Sequence, residues 1–290
     1  MSSADIPKTI NVQVYSYKGK QLKSVIDSLR DNASGVNSID IHIYDQHGLR
    51  RHDLFGNGVD YRHIFWDLQD SPCKYRANAI SSSVSDYLMF VSDRVLVKKN
   101  WDLDLINSIN NKNIIISGKG KTVLDYKNMF FITKTEETTE EKIINNFINR
   151  DLIFGSSRLF KNYPYPSYLK YHGEEEVYSA MLFCGGVDVV SMPSDFYDII
   201  SDPTLETLYS PFSIQHKYNQ AVSLLKSGFN DFVDLRNKER SISDFASFHS
   251  IGFDYLKPLP FEIDDVSYDP QTKYDKLDQR RFMIKSKAIL

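Results

Sequence analysis

Residues 10–17 (INVQVYSY) alternate apolar and polar positions and are rich in β-branched types, a period of two that predicts a β-strand. The period then lengthens. Leu22, Val25, Ile26 and Leu29 recur every three to four residues, which predicts a helix over 21–33. Alternation returns at 39–44 (IDIHIY), so the chain opens with a strand–helix–strand unit of the length a parallel crossover requires. A helix over 74–83 leads to an apolar run at 87–91 (YLMFV), read as a buried strand with Ser92, Asp93 and Arg94 at its carboxyl end. Beyond it the pattern predicts helices over 101–109, 136–149, 174–183, 213–226 and 243–249, and strands over 113–117, 129–133 and 187–191. Residues 45–71 read as one long irregular loop carrying His47, Arg50, Arg51, His52, Arg62 and His63. Residues 162–172 form a Tyr/Pro-rich connection that delivers the chain to Gly173.

Alternating strands and helices of this kind imply an α/β sheet with helices on both faces. Ligands of such sheets bind outside the carboxyl ends of the strands, which places residues 15–18, 44–46 and 92–94 along one candidate rim. One domain is expected over 8–255, with a C-terminal tail, 256–290, packing on the core. Composition narrows the function classes without choosing one. The 290 residues, 41% hydrophobic and 25% charged, suit an ordinary folded protein with room for one large α/β domain. A net charge of -3 excludes a strongly basic chain, so contact with nucleic acid would have to come from a local patch. The opening MSSADIPKTI lacks the apolar stretch of a signal peptide, and no run of about 18 apolar residues occurs, so a cytoplasmic protein without membrane contact is expected. Cys73 and Cys184 are the only cysteines, which argues against a disulfide framework or a thiolate zinc site. Abundant Asn, Lys, Ile, Ser, Tyr and Phe fit an AT-rich coding genome such as that of many phages, in which case the compartment is the host cytoplasm.

Several stretches, taken in order, carry a resemblance. They are VYSYKGKQLKSVIDSLRDNA, IDIHIYDQ ending at Gln46, SPCKYRAN with Arg76, and DYLMFVSDRVLVKKNWD anchored by Trp101 and Asp102. GEEEVYSAMLFCGGVDVVSMP follows, with Gly173, Glu174, Glu175, Gly186, Asp188 and Pro193, and then SISDFASFHSIGFD, closing at Gly252 and Asp254. Over roughly residues 10–255 this series resembles the polypeptide N-acetylglucosaminyltransferases that modify hydroxyproline, a family of the GT-A type. The resemblance implies a Rossmann-like nucleotide-diphospho-sugar transferase fold, a UDP-sugar donor, a hydroxyl acceptor and a divalent metal, Mn2+ or Mg2+. It also implies that Tyr15, Ser16, Tyr17 and Gln46 hold the nucleotide, and that Arg76, Ser92 and Arg94 face the diphosphate. By the same resemblance Asp93 is the metal ligand, and Glu174 and Glu175 are the catalytic pair. One departure matters. The family motif has a carboxylate first and a metal-capable residue two positions later, whereas Ser92, Asp93 and Arg94 keep a single carboxylate in the middle. Either Asp93 takes the metal by a local shift, or Arg94 supplies the positive charge. Both would neutralise the charge that develops on a leaving nucleoside diphosphate.

Each assignment competes with a plainer role. Asp93 at a strand end also suits a turn cap, Arg94 a surface cation, and Arg76 an ion-pair partner. Glu174, Glu175 and Glu176 suit a solvated helix start, since carboxylates favour helix N-termini. His216 and His249 fit structural roles better than metal ligation, and the two cysteines fit buried small residues. In an inverting reaction Glu175 would take the acceptor's proton; in a retaining one, which the resemblance favours, the acidic pair would orient sugar or acceptor.

The resemblance leaves the acceptor open. Arg50, Arg51 and Arg62, with Arg280, Arg281, Lys285 and Lys287, suit a phosphate backbone, although a solvated loop and tail describe them equally well. With the phage-type composition, this favours DNA as the partner and 5-hydroxymethylcytosine as the acceptor, flipped from the stack to receive a hexose or pentose. A protein hydroxyl (hydroxyproline, Ser or Thr) is the second reading. A non-catalytic sugar-nucleotide- or nucleic-acid-binding module is the third.

Overall fold

Side chains along the central strands alternate between two layers of helices, and that alternation organises the molecule. A computed structural model describes residues 6–16, 21–45, 59–63, 72–109, 113–118, 121–125, 130–134, 143–144, 147–149, 151–167, 174–192, 196–200, 225 and 240–248. In chain order the elements begin with β1 (Thr9–Ser16), α1 (Leu22–Asp31), β2 (Ser38–Asp45), β3 (Val59–His63), α2 (Pro72–Ser82) and β4 (Tyr87–Ser92). Next come β5 (Val95–Val97), α3 (Trp101–Ser108), β6 (Ile114–Ser117), β7 (Lys121–Asp125), β8 (Phe130–Lys134) and β9 (Ile143–Ile144). The last are β10 (Leu152–Ser156), α4 (Ser157–Asn162), α5 (Glu174–Cys184), β11 (Asp188–Ser191), β12 (Tyr197–Ile199) and α6 (Ile242–Phe248).

Among the described residues eight strands form one mixed sheet in the order β3-β2-β1-β4-β10-β6-β11-β9. The first four are parallel, β10 runs antiparallel to both β4 and β6, β11 is parallel to β6, and β9 is antiparallel to β11. Two small antiparallel pairs, β5 with β12 and β7 with β8, stand apart from it. Successive side chains of a strand point to opposite faces. Leu88 and Phe90 of β4 therefore join Ile115 and Ile153 in a cluster with α2, α4, α5 and α6, while Met89 and Val91 join Ile116, Leu152 and Phe154 in a second cluster with α1 and α3. Both faces are covered, which is why β4 and β10 read as apolar runs without a period. No helix among the described residues is long and apolar enough to cross a membrane.

Two anchors fix the segment that follows β4. Trp101 is fully buried and its Nε1 donates to the Leu29 carbonyl at 2.9 Å. Asp102, also fully buried, accepts hydrogen bonds from Ser34 N (2.8 Å), Ser34 Oγ (2.6 Å) and Asn37 Nδ2 (2.8 Å). The α1–β2 connection is thereby tied to the start of α3. At the far end of α5, Gly186 takes φ 75°, Gly186 N donates to Phe183 O (3.0 Å) and Val187 N to Leu182 O (2.9 Å). This pair of bonds is a Schellman cap, and a left-handed residue there is cheapest as glycine.

Most expected elements are present, with three corrections. Residues 45–71 do not form one irregular loop, because β3 adds to the edge of the sheet beside β2. Its sequence, VDYRH, is too polar and too short to show a period, and an edge strand needs only one paired side. The helix expected over 136–149 is interrupted: Ile143 and Ile144 pair with β11 and residues 147–149 are irregular, while the rest of that span lies outside the described residues. The central strand β10 and helix α4 were not anticipated at all. The helix expected over 213–226 lies outside the described residues apart from Leu225, as does the C-terminal tail.

Candidate functional site

The candidate site is assembled at the carboxyl ends of the parallel strands. Register places Tyr15 of β1 beside Tyr44 of β2 on one side and beside Ser92 of β4 on the other. Neighbours in register share a face, so these three side chains lie on the α2 side of the rim. Tyr75, in the first turns of α2, closes the group: its ring centre is 5.1 Å from that of Tyr44 and 6.4 Å from that of Tyr15. Three half-buried tyrosines thus form an aromatic shelf. Ser16 and Asp45, also paired in register, are both fully buried on the opposite face, and Ser16 Oγ has no hydrogen-bond partner among the described residues.

Next to the shelf is the segment 92–94, whose side chains meet a residue from the antiparallel strand. Asp151, immediately before β10, accepts from Ser92 N through its backbone carbonyl at 3.0 Å. Its Oδ1 accepts from Ser92 Oγ (3.2 Å) and from Arg94 Nη2 (2.9 Å). The backbone N–H of Asp151 in turn donates to Asn149 Oδ1 at 2.9 Å, which fixes the acid's position. The Asp151 side chain is 11% exposed and that of Arg94 is 26% exposed, so the cation keeps a face toward solvent. Asp93 is buried, at 7% exposure.

On α2, one residue beyond Tyr75, Arg76 is buried and its Nη1 donates to Tyr165 Oη at 2.8 Å. Burial alone would lower the pKa of this guanidinium, but the fields of Tyr165, Glu175, Cys73 and Glu174 outweigh it and hold the value above the ordinary one. Burial likewise pushes the Tyr165 and Tyr178 hydroxyls up, with Arg76 opposing in both cases. Glu174, at 1% exposure, and half-buried Glu175 open α5, where the helix dipole favours negative charge. Glu175 Oε1 is buried without a hydrogen-bond partner among the described residues. Arg76 thus follows Tyr75 on α2, hydrogen-bonds Tyr165 and feels the negative field of the acidic start of α5.

The structure brings together Tyr15, Ser16, Ser92, Asp93 and Arg94 at the rim, and Arg76 with Glu174 and Glu175 beside it. Arg62 belongs to β3, and its backbone is registered with Tyr44 at the sheet edge. Tyr17, Gln46, Arg50, Arg51, Gly173, His216 and His249 lie outside the described residues. Tyr44 was expected on the rim from its strand end, whereas three neighbours of the candidate residues escaped the sequence reading: Tyr75, Asp151 and Tyr165. Tyr75 directly precedes Arg76 and was accessible as an aromatic on the same helical turn. Asp151 had no local signal, because its role depends on a strand pairing 59 residues removed from Ser92.

Neither a protein-family model nor a curated protein sequence matches the chain. Solved structures do match. The crystal structure of GalNAc-T7 with UDP, GalNAc and Mn2+ superposes with a TM-score of 0.57 at 13% identity, over 86% of this chain and 56% of that one. The chain thus spans little more than half of that protein. S. aureus TarS 1-349 in complex with UDP gives a TM-score of 0.53 at 14% identity, over 83% of this chain and 71% of that chain. The same protein in complex with UDP-GlcNAc gives 0.52 at 15% identity, over 83% and 72%. At identities this low the superpositions show the fold alone, a mixed α/β sheet matching that of GT-A glycosyltransferase structures.

A divalent metal is a poor fit to the described residues. The motif keeps one carboxylate, Asp93, between a hydroxyl and a guanidinium, and the neighbouring Asp151 is engaged through Oδ1 by both Ser92 and Arg94. No group of three or more His, Cys, Asp or Glu side chains among the described residues is arranged to hold a metal ion.

Proposed function

We propose that the protein is a glycosyltransferase that moves a sugar from a UDP-sugar to a hydroxyl acceptor. The observation that supports this reading is an aromatic shelf beside a phosphate-compatible cation, on a GT-A sheet, at the rim where such sheets bind ligands. Uracil packs on the rings of Tyr15, Tyr44 and Tyr75, and the diphosphate runs toward Ser92, Asp93 and Arg94. The bond between the sugar's anomeric carbon and the β-phosphate oxygen breaks, with its electron pair leaving on UDP. A new bond forms from that carbon to the acceptor oxygen. In an inverting reaction Glu175 receives the acceptor's proton; in the retaining course that the resemblance favours, the proton leaves on the departing diphosphate and the acidic pair orients the reactants.

For the acceptor we favour the hydroxymethyl group of 5-hydroxymethylcytosine in DNA. In support, the backbone of Arg62 in β3 is in register with Tyr44 at the sheet edge, and Arg50 and Arg51 precede it in sequence. The test is a transfer assay with a panel of UDP-sugars, offered hydroxymethylated DNA, unmodified DNA or a hydroxyproline peptide, and read by mass spectrometry. A hexose- or pentose-sized gain on hydroxymethylated DNA alone is the expected result. A gain on peptide alone would move the acceptor to protein. No gain with any donor would leave a sugar-nucleotide-binding module and overturn the enzyme reading.

A further inference from the structure

We propose that Arg94, held by Asp151, is the resident cation of the diphosphate site and takes the place of a divalent metal. The inference rests on the glycosyltransferase reading above and concerns how that same site neutralises its leaving group. Three observations carry it. First, in the frame that the resemblance implies, Arg94 falls two positions after Ser92, where a metal-capable residue is expected. Second, the exchange is compensated. A carboxylate at position 92 would lie against Asp151 and repel it unless a cation bridged them. Ser92 instead donates its hydroxyl to Asp151 Oδ1, and the same oxygen accepts from Arg94. The acid beside the motif is thus Asp151, before β10, and the cation it holds belongs to the chain itself.

Third, Arg94 is only partly used. It meets Asp151 through Nη2, while Nη1 and Nε make no hydrogen bond among the described residues, and a quarter of the side chain remains exposed. A guanidinium stays charged at any physiological pH, and its donor fork matches phosphate oxygens two at a time. The monodentate pair with Asp151 aims the group without consuming it. When a nucleoside diphosphate arrives, the remaining donors engage its β-phosphate, and the charge that grows there as the sugar departs meets a fixed cation.

The experiment is calorimetric titration of UDP into the full chain, in chelator and again in Mn2+, for the natural protein and for R94A/D151N. The double variant removes both charges together, so no half-buried carboxylate is left alone, and a circular dichroism melt checks its fold. The expected result is UDP affinity that is the same in chelator and Mn2+ to within about twofold, and that falls about tenfold or more in R94A/D151N with no rescue by Mn2+. UDP binding that requires Mn2+ and is unchanged in R94A/D151N would overturn the inference, return the metal to Asp93 and leave the glycosyltransferase reading standing. Absence of UDP binding in both conditions would overturn both. The chelator comparison uses the natural chain alone, so a misfolded variant does not spoil the decision.

Discussion

Replacing Asp102 with alanine should cost the fold more than any other single carboxylate change described above. Asp102 is fully buried and its two oxygens accept three hydrogen bonds, from Ser34 N, Ser34 Oγ and Asn37 Nδ2. A hydrogen bond to a charged acceptor contributes about 1.5–3 kcal/mol. The three share two partner residues and are not additive, and the donors lie close enough to the surface to recover some water. A net loss of about 3–4 kcal/mol is therefore expected for Asp102→Ala, with Asp102→Asn at about half that. In a chain of this size each kcal/mol moves Tm by about 2–4 °C, so the alanine variant should melt roughly 10 °C lower. The pH dependence follows from the same geometry. Burial would raise the Asp102 pKa, but the hydrogen bonds from Ser34 and Asn37 outweigh it and hold the carboxyl below its ordinary value. A carboxyl with a lower pKa in the folded chain stabilises fully above its unfolded value and loses that stabilisation as pH falls through the folded one. The stability gap between natural chain and variant, measured by urea unfolding, should thus be flat from neutral pH to about pH 5 and shrink below about pH 4. A gap under about 1 kcal/mol at neutral pH, or one that persists unchanged in acid, would refute the reasoning.

The other predictions concern the site and one tight contact. If the proposed reaction inverts, Glu175→Gln should lower kcat about 100-fold or more while leaving UDP affinity unchanged, because the proposal gives this carboxylate the acceptor's proton; an equal loss of affinity would contradict that role. Tyr75→Ala should weaken UDP binding roughly three- to tenfold with little change in Tm, since the ring is half-buried and packs on two other tyrosines at the rim. Unchanged affinity in a calorimetric titration would remove the aromatic shelf from the site. Gly185→Ala should cost about 2–3 kcal/mol, because an added Cβ would sit 2.2 Å from Tyr163 Cε1. The cost should largely vanish in a Tyr163→Ala background, and a double-mutant cycle without coupling would show that the contact is not the cause.

What the sequence reveals depends on whether a residue's partner is local. The β1–α1–β2 unit was legible because β1 and β2 alternate strictly and α1 buries Leu22, Val25, Ile26 and Leu29 on one stripe. The residues of α5 were legible too, since an acidic start and a Gly-Gly end are local signals. By contrast β10 is five residues long and buried on both faces, so LIFGS shows neither period. Its Gly155 would ordinarily argue against a strand, yet an added Cβ there would come within 3.1 Å of the Phe160 ring, and the glycine makes room for that packing. The candidate site divides in the same way. Tyr15, Ser92, Asp93, Arg94, Glu174 and Glu175 lie at element ends that can be located from periodicity. Asp151 could not be found without knowing that an antiparallel strand enters between β4 and β6.

That late-arriving strand also sets the order in which the molecule becomes competent. As the chain leaves the ribosome, β1, β2, β3 and β4 can pair with one another, and Ser92 to Arg94 are made with them. Asp151 follows 59 residues after Ser92, together with the strand that joins the two halves of the sheet. Until then β4 presents an open edge, and the cation at its end has no acid to aim it. If the site binds a diphosphate as proposed, a nascent chain cannot present it in final geometry before β10 is in place, because sheet closure and charge placement are one event.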